Sequence, residues 1–175
     1  MLDAKPVVGT MGRDSYHLYP GEILVSKKNL IINTVLGSCV AVCFWDEKRK
    51  IGGMNHIMLP ISPEGEFVTS RYGNVATFLL YEMIIKAGSN KHMIQTRIFG
   101  GASSLGKNNT EKSVLEVGMK NIEVTERVLK KLNLKIDSKD VGGHIGRKIS
   151  FDLWTGKIKM SYLRRFDFDG ELLNG

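Results

Sequence analysis

Two residue types in this chain suit nucleophilic chemistry at neutral pH: a cysteine at position 39 and four histidines, at 17, 56, 92 and 144. Cys39 closes the run Leu36-Gly37-Ser38, where small residues let the backbone turn tightly and leave a thiol and its neighbouring amides accessible. A thiol attacks only as thiolate, so it needs a base nearby, and an imidazole is the side chain whose ordinary pKa suits the task. The second cysteine, Cys43, stands between Val42 and Phe44 and reads as a packing residue. Cys39 and Cys43 are four apart in one predicted strand, and a strand rise of about 3.3 Å per residue keeps their Cα atoms too far apart for a disulfide.

Pairing geometry selects among the histidines. If 40–45 and 51–58 form an antiparallel hairpin with its turn centred between Glu47 and Lys48, Cys39 falls directly opposite His56. Opposed residues share a face with Cβ atoms roughly 4.5–5.5 Å apart, within reach of a thiol–imidazole contact, and a slip of one residue would send His56 to the other face. Read alone, His56 fits a satisfied core histidine equally well; the pairing with Cys39 favours the base. His17 belongs to a polar N-terminal stretch and His92 follows Lys91 in a predicted turn, so both read as surface residues. His144, within Gly142-Gly143-His144-Ile145-Gly146, is the second choice for a functional role. Neither a CxxC pair nor a tight Cys/His cluster suggests a metal.

The elements that must position these residues follow from periodicity. Residues 1–18 lack it and read as a loose arm, leaving 19–175 as a single domain. Apolar, β-branched runs predict strands at Glu22–Val25 and Leu30–Val35, joined by the turn Ser26–Asn29, then Val40–Trp45 and Ile51–Leu59, the last ended by Pro60. Helical spacing covers Asn74–Ala87, stopped by Gly88, and Gly118–Leu132. Arg97–Phe99, Lys135–Ile136 and a hairpin of Lys148–Leu153 with Lys157–Leu163 complete the set. Strands at both ends with two helices between them predict an α+β fold, the helices packed on a largely antiparallel sheet.

Composition narrows the class further. The chain has 175 residues, 42% of them apolar and 25% charged, the pattern of a globular protein. Its longest apolar runs are far too short to span a bilayer, and the N-terminus lacks the pattern of a secretion signal, so a cytoplasmic protein without membrane insertion is expected. The net charge of +7 is spread over dispersed lysines and arginines with no interleaved aromatics, which argues against nucleic acid and leaves docking on an acidic protein surface open.

Several ordered motifs resemble the CheD family: Thr34-Val35-Leu36-Gly37-Ser38-Cys39-Val40-Ala41-Val42, Gly53-Met54-Asn55-His56-Ile57-Met58-Leu59-Pro60, Phe99-Gly100-Gly101-Ala102, Asp140-Val141-Gly142-Gly143 and Gly146-Arg147-Lys148-Ile149. The resemblance runs through about residues 20–163 in the expected order, which a lone Gly-Ser-Cys would not do. It implies a chemoreceptor glutamine deamidase: hydrolysis of receptor glutamine side chains to glutamate by a Cys-His-Thr arrangement, without metal or organic cofactor. The implied scaffold is an α/β sandwich similar to the catalytic domain of cytotoxic necrotizing factor. Cys39 and His56 then match nucleophile and base, and Thr34 the third residue, with Asn33, one place earlier, as its alternative. The implied partners are the cytoplasmic helices of chemoreceptors and a CheC-type phosphatase, and an adaptor for that phosphatase is the alternative function.

Overall fold

The computed structural model describes residues 14–64, 69–103 and 109–163. Their elements run, in chain order, β1 (Asp14–His17), β2 (Ile23–Ser26), β3 (Leu30–Leu36), β4 (Val40–Asp46), β5 (Ile51–Asn55), α1 (Gly73–Lys86), β6 (Ile94–Gly100), α2 (Asn109–Lys131), β7 (Ser138–Val141), β8 (Arg147–Asp152) and β9 (Ile158–Tyr162). A single 3-10 turn, Lys91–Met93, precedes β6. Two sheets result, one ordered β1-β3-β8-β9 and the other β2-β5-β4-β6-β7. Every neighbouring pair is antiparallel except β1 with β3 and β6 with β7.

The α+β class and the mainly antiparallel pairing agree with the expectation, but the strands form two stacked sheets instead of one, giving three layers. Burial explains the arrangement. In β3 and β8 alternate residues are inside, with Leu30, Ile32, Thr34 and Leu36 facing Arg147, Ile149 and Phe151 across their shared ladder side. Every residue of β4 is buried, the mark of a strand covered on both faces. One core lies between the sheets, with Ile32, Leu36, Ala41, Cys43, Met54 and Phe151 in it. The other lies between β4, β5 and β6 and the helices, around Val42, Phe44, Ile57, Leu80, Ile84 and Leu129.

Particular departures have physical causes. Asp14–His17 pairs in parallel with β3, Tyr16 opposite Ile32, so order reaches into the stretch expected as an arm; residues 1–13 of that arm lie outside the described residues. Strands β2 and β3 are consecutive but belong to different sheets, β2 pairing with β5. The helix α2 begins at Asn109, well before Gly118. Gly118 suggested a boundary because glycine is a poor helix former, yet its role is close approach: a Cβ there would lie 2.8 Å from Gly101 O and 3.1 Å from Ala102 O. The strand expected at Lys135–Ile136 is instead Ser138–Val141, a polar edge strand without an alternating pattern to announce it.

Both helix ends are closed in the same way. After α1, Ser89 N–H reaches Ile84 O and Gly88 N–H reaches Ile85 O; after α2, Leu134 N–H reaches Leu129 O and Asn133 N–H reaches Lys130 O. These are Schellman closures, which need a left-handed residue, supplied by Gly88 at φ 103° and Asn133 at φ 51°. Among the described residues, no helix is long and apolar enough to cross a membrane.

Candidate active site

The β4–β5 hairpin fixes the relation of Cys39 to His56. Its register pairs Cys43 with Met54 and continues to a bridge between Val40 and Ile57, so Ala41 stands opposite His56 and Cys39 opposite Met58. The expected turn centre is therefore displaced, and Cys39 and His56 are diagonal instead of directly opposed. The cause is a four-residue loop, Glu47–Lys50, held by Asp46, whose carboxylate accepts from Arg49 N–H at 3.0 Å and Ser89 O–H at 2.7 Å. A displacement of two residues preserves the face. Diagonal neighbours at roughly 7–8 Å between Cα atoms remain within reach of long side chains.

His56 enters the space between the sheets because the ladder opens just before it. Val42 N–H donates to the side-chain Oδ1 of Asn55 at 2.8 Å, in place of a backbone carbonyl. His56 N–H turns to Glu22 O at 3.0 Å and its carbonyl accepts from Gly21 N–H at 2.8 Å. The imidazole, 2% exposed, then meets Thr34 of the facing sheet, with Oγ1 2.8 Å from Nδ1.

The tautomer follows from what Thr34 touches. Its Oγ1 also lies 2.8 Å from the carbonyl of Leu18, which can only accept. The hydroxyl proton is committed there, so Oγ1 accepts from His56 Nδ1–H and the lone pair of the neutral ring stays on Nε2. That atom is buried and has no hydrogen-bond partner among the described residues, so a Cys39–His56 hydrogen bond is not made in this structure. Burial pushes the imidazole below its ordinary 6.5, and the Leu18 carbonyl and Glu22 carboxylate only partly offset this. Burial raises the Cys39 thiol above 9.0. Near neutrality the two are a neutral base and a neutral acid, a pair suited to proton transfer during attack.

The turn that carries Cys39 is tied down through its carbonyls. Gly37 O accepts from Ala102 N–H at 2.8 Å, Cys39 O from Gly101 N–H at 2.7 Å, and Ser38 O from Asn121 Nδ2 at 3.1 Å. Gly100, opposite Val40 and at φ 105°, lies so close beneath Cys39 O that any Cβ would overlap it. Cys39 itself is half-buried and free.

The structure thus brings Cys39, His56 and Thr34 to one place and turns Asn33 away from it. Asn33 points to the opposite face of β3, where its Oδ1 accepts from Ser150 O–H at 2.8 Å. Cys43 is in the inner core. His17 is exposed, edge-on to Tyr19, and His92 is exposed in the 3-10 turn. His144 stands beside Ser103, its Nδ1 3.2 Å from Ser103 O, on the loop that lines the segment following Gly101. Sequence reasoning missed the Leu18 carbonyl, a backbone atom with no side-chain signal, and Asn55 and Asn121, whose buried amides could not be told from surface ones. Among the described residues no group of three or more His, Cys, Asp or Glu could hold a metal ion.

A sandwich of two sheets and a helical layer, with cysteine, histidine and threonine set between strands from both sheets, defines an α+β class with a thiol near a buried imidazole. A family model described as CheD chemotactic sensory transduction matches residues 58–162. The chain is 34% identical over 158 residues to a probable chemoreceptor glutamine deamidase CheD of Sulfurimonas denitrificans, covering 90% of this chain and all of that one. It is 38% identical over 143 residues to the protein of the same name from Trichlorobacter lovleyi, covering 82% and 87%. Among solved structures, the Bacillus licheniformis hypothetical protein YfiH aligns at a TM-score of 0.43 with 16% identity, over 69% of this chain and 49% of that one, a likeness too slight to fix a shared fold. This chain belongs to the CheD family.

Proposed function

We propose that this protein is a protein-glutamine glutaminase that converts glutamine side chains of chemoreceptors to glutamate, with Cys39 as nucleophile, His56 as base and Thr34 orienting the imidazole. One observation carries the roles: the Leu18 carbonyl commits the Thr34 hydroxyl, Thr34 accepts from Nδ1–H, and Nε2 is left bearing a lone pair without a partner among the described residues, on the face that Cys39 shares. The family match begins at residue 58, so geometry supports these three residues and the relatives' names support the substrate.

His56 Nε2 takes the Cys39 proton as sulfur attacks the carboxamide carbon, and the carbonyl oxygen becomes an oxyanion held by backbone N–H groups of the 37–39 turn. The imidazolium returns its proton to the amide nitrogen, ammonia departs, and a thioester remains. Water then attacks the thioester carbon with His56 again taking a proton, and the thiol leaves with that proton as glutamate is released. The scaffold in this reading is a sandwich akin to the catalytic domain of cytotoxic necrotizing factor, and the setting is the cytoplasm, where the +7 charge suits docking on acidic receptor helices. A CheC-type phosphatase is a proposed partner; a pure adaptor for it would have no use for the committed Thr34–His56 pair.

The test is to incubate the full chain with a receptor cytoplasmic fragment and follow glutamine-to-glutamate conversion by peptide mass spectrometry. Conversion at defined glutamines, absent with Cys39→Ala, is expected; an unchanged fragment at high enzyme concentration would sink the substrate assignment.

A further inference from the structure

We infer that Asn121, on α2, is a positioning residue that holds the nucleophile turn against the histidine strand; this rests on the reading of Cys39 as nucleophile. Its Nδ2 lies 3.1 Å from Ser38 O and 3.1 Å from Met58 O. Both carbonyls only accept, so the amide has one allowed orientation and both its N–H bonds are used. Ser38 precedes Cys39, and Met58 is the residue opposite Cys39 in the β4–β5 register.

The two strands part at this point. Val40 and Ile57 exchange the last pair of ladder hydrogen bonds, at 3.1 and 2.8 Å. The next bonded pair would join Ser38 to Leu59, but Leu59 N–H goes to Arg71 O at 3.0 Å. The Asn121 amide fills the fork and takes the Ser38 carbonyl left over. A trans peptide sets C=O and N–H on opposite sides, so drawing Ser38 O toward α2 turns the Cys39 N–H the other way, and with it the start of the thiol side chain.

The helix is placed to do this without slack. Gly118, nearly one turn earlier, lies against Gly101 and Ala102, the residues whose N–H groups take Cys39 O and Gly37 O. Of the three hydrogen bonds onto the turn's carbonyls, the one from Asn121 alone comes from a side chain. Asn121 is fully buried, and its Oδ1 has no hydrogen-bond partner among the described residues. An apolar side chain would avoid that unsatisfied atom, so packing alone does not account for an amide here.

The experiment uses the full chain as wild type, His56→Gln, Asn121→Leu and the milder Asn121→Ser, whose single hydroxyl can serve only one carbonyl. Iodoacetamide labelling is followed against pH with the modified cysteine located by mass, together with thermal melting and deamidation kinetics. Continued protection of Cys43 marks an intact core in each variant. The expected result is that both Asn121 variants label Cys39 near neutral pH more slowly than wild type, by about tenfold or more for Asn121→Leu, with the pH profile moved toward that of His56→Gln. In deamidation kcat should fall while KM changes little. A wild-type labelling profile in a variant that still protects Cys43, even one with a lowered melting temperature, would overturn the proposal. Wild-type protein that deamidates no receptor fragment would instead count against the substrate assignment, while the labelling profiles still decide the role of Asn121.

Discussion

Cys39 and Cys43 stand four residues apart, just before β4 and within it, and pack against the same inner core, yet their surroundings differ. Burial raises both thiols, that of Cys43 far more, with the Arg97 guanidinium offsetting little of it. A depressed thiol pKa is therefore not what separates them. Cys43 sits inside a complete ladder, paired with Met54 on one side and Arg97 on the other. Cys39 lies where the ladder ends, half-exposed, diagonal to an imidazole whose buried Nε2 has no hydrogen-bond partner among the described residues. The two thiols differ in what the neighbouring segments leave unsatisfied around them, and the proposed roles rest on that difference.

The sharpest way to break the comparison is to exchange the thiols' fates. Cys39→Ala and Cys39→Ser should each lower receptor deamidation by at least about a thousandfold, because a hydroxyl is much harder to deprotonate and the group on His56 Nδ1 is the Thr34 hydroxyl, not a carboxylate that would support an imidazolium. Cys43→Ala should stay within about twofold of wild type. A folded Cys43→Ala protein without turnover would assign the chemistry to the wrong cysteine.

Next comes the base. His56→Gln should cost about a hundredfold or more in kcat, the usual range for loss of a positioned proton acceptor. The sign of the pH effect follows from burial, which favours the neutral ring. Since only that form accepts a proton, kcat/KM should fall as pH drops through a value below 6.5 and be level above it. An acid limb centred well above 6.5 would mean that the titrating group is not the buried imidazole.

A smaller loss tests the third residue. Thr34→Ala should reduce kcat by about tenfold, since nucleophile and base remain while the ring loses its anchor. Asn33→Ala, on the opposite face of β3, should leave kcat unchanged; the reverse result would return the orienting role to Asn33. The least effect is on stability: removing the Cys43 sulfur from the inner core should cost about 1 kcal/mol in urea unfolding, with Cys39→Ala costing less because that side chain is already half-exposed.

Much of this site was legible before any coordinates. The glycine-flanked Cys39 and the parity of strand positions put Cys39 and His56 on one face, and parity survived a turn centre one residue later than expected because that moves each cross-strand partner by two, and side-chain facing repeats every two residues. The loop Glu47–Lys50 follows the buried Asp46, which accepts from Ser89 43 positions away, a contact no local pattern reveals. Thr34 and Asn33 could not be separated by composition, since the choice turns on which face of β3 meets the second sheet. The second sheet was hidden for a similar reason: β2 and β3 adjoin in sequence and looked like a hairpin, while their partners, β5 and β8, come from distant segments. Gly118 and the polar edge strand β7 are cases where local propensity pointed away from the tertiary outcome.

The Leu18 carbonyl gives the segment just after β1 a part in proton bookkeeping. It decides which ring nitrogen of His56 carries hydrogen, although Leu18 is 38 positions from that histidine and contributes no side-chain chemistry. A shortened chain beginning at Tyr19 would retain Cys39, His56 and Thr34 and would still be judged intact by any check of those side chains. Its Thr34 hydroxyl would be free to donate to Nδ1, which would place the ring proton on Nε2 and present the thiol with a donor where it needs an acceptor. Trimming this chain past Leu18 is thus an intervention on tautomer choice, and a silent preparation could be a well-folded one whose imidazole is protonated on the wrong nitrogen.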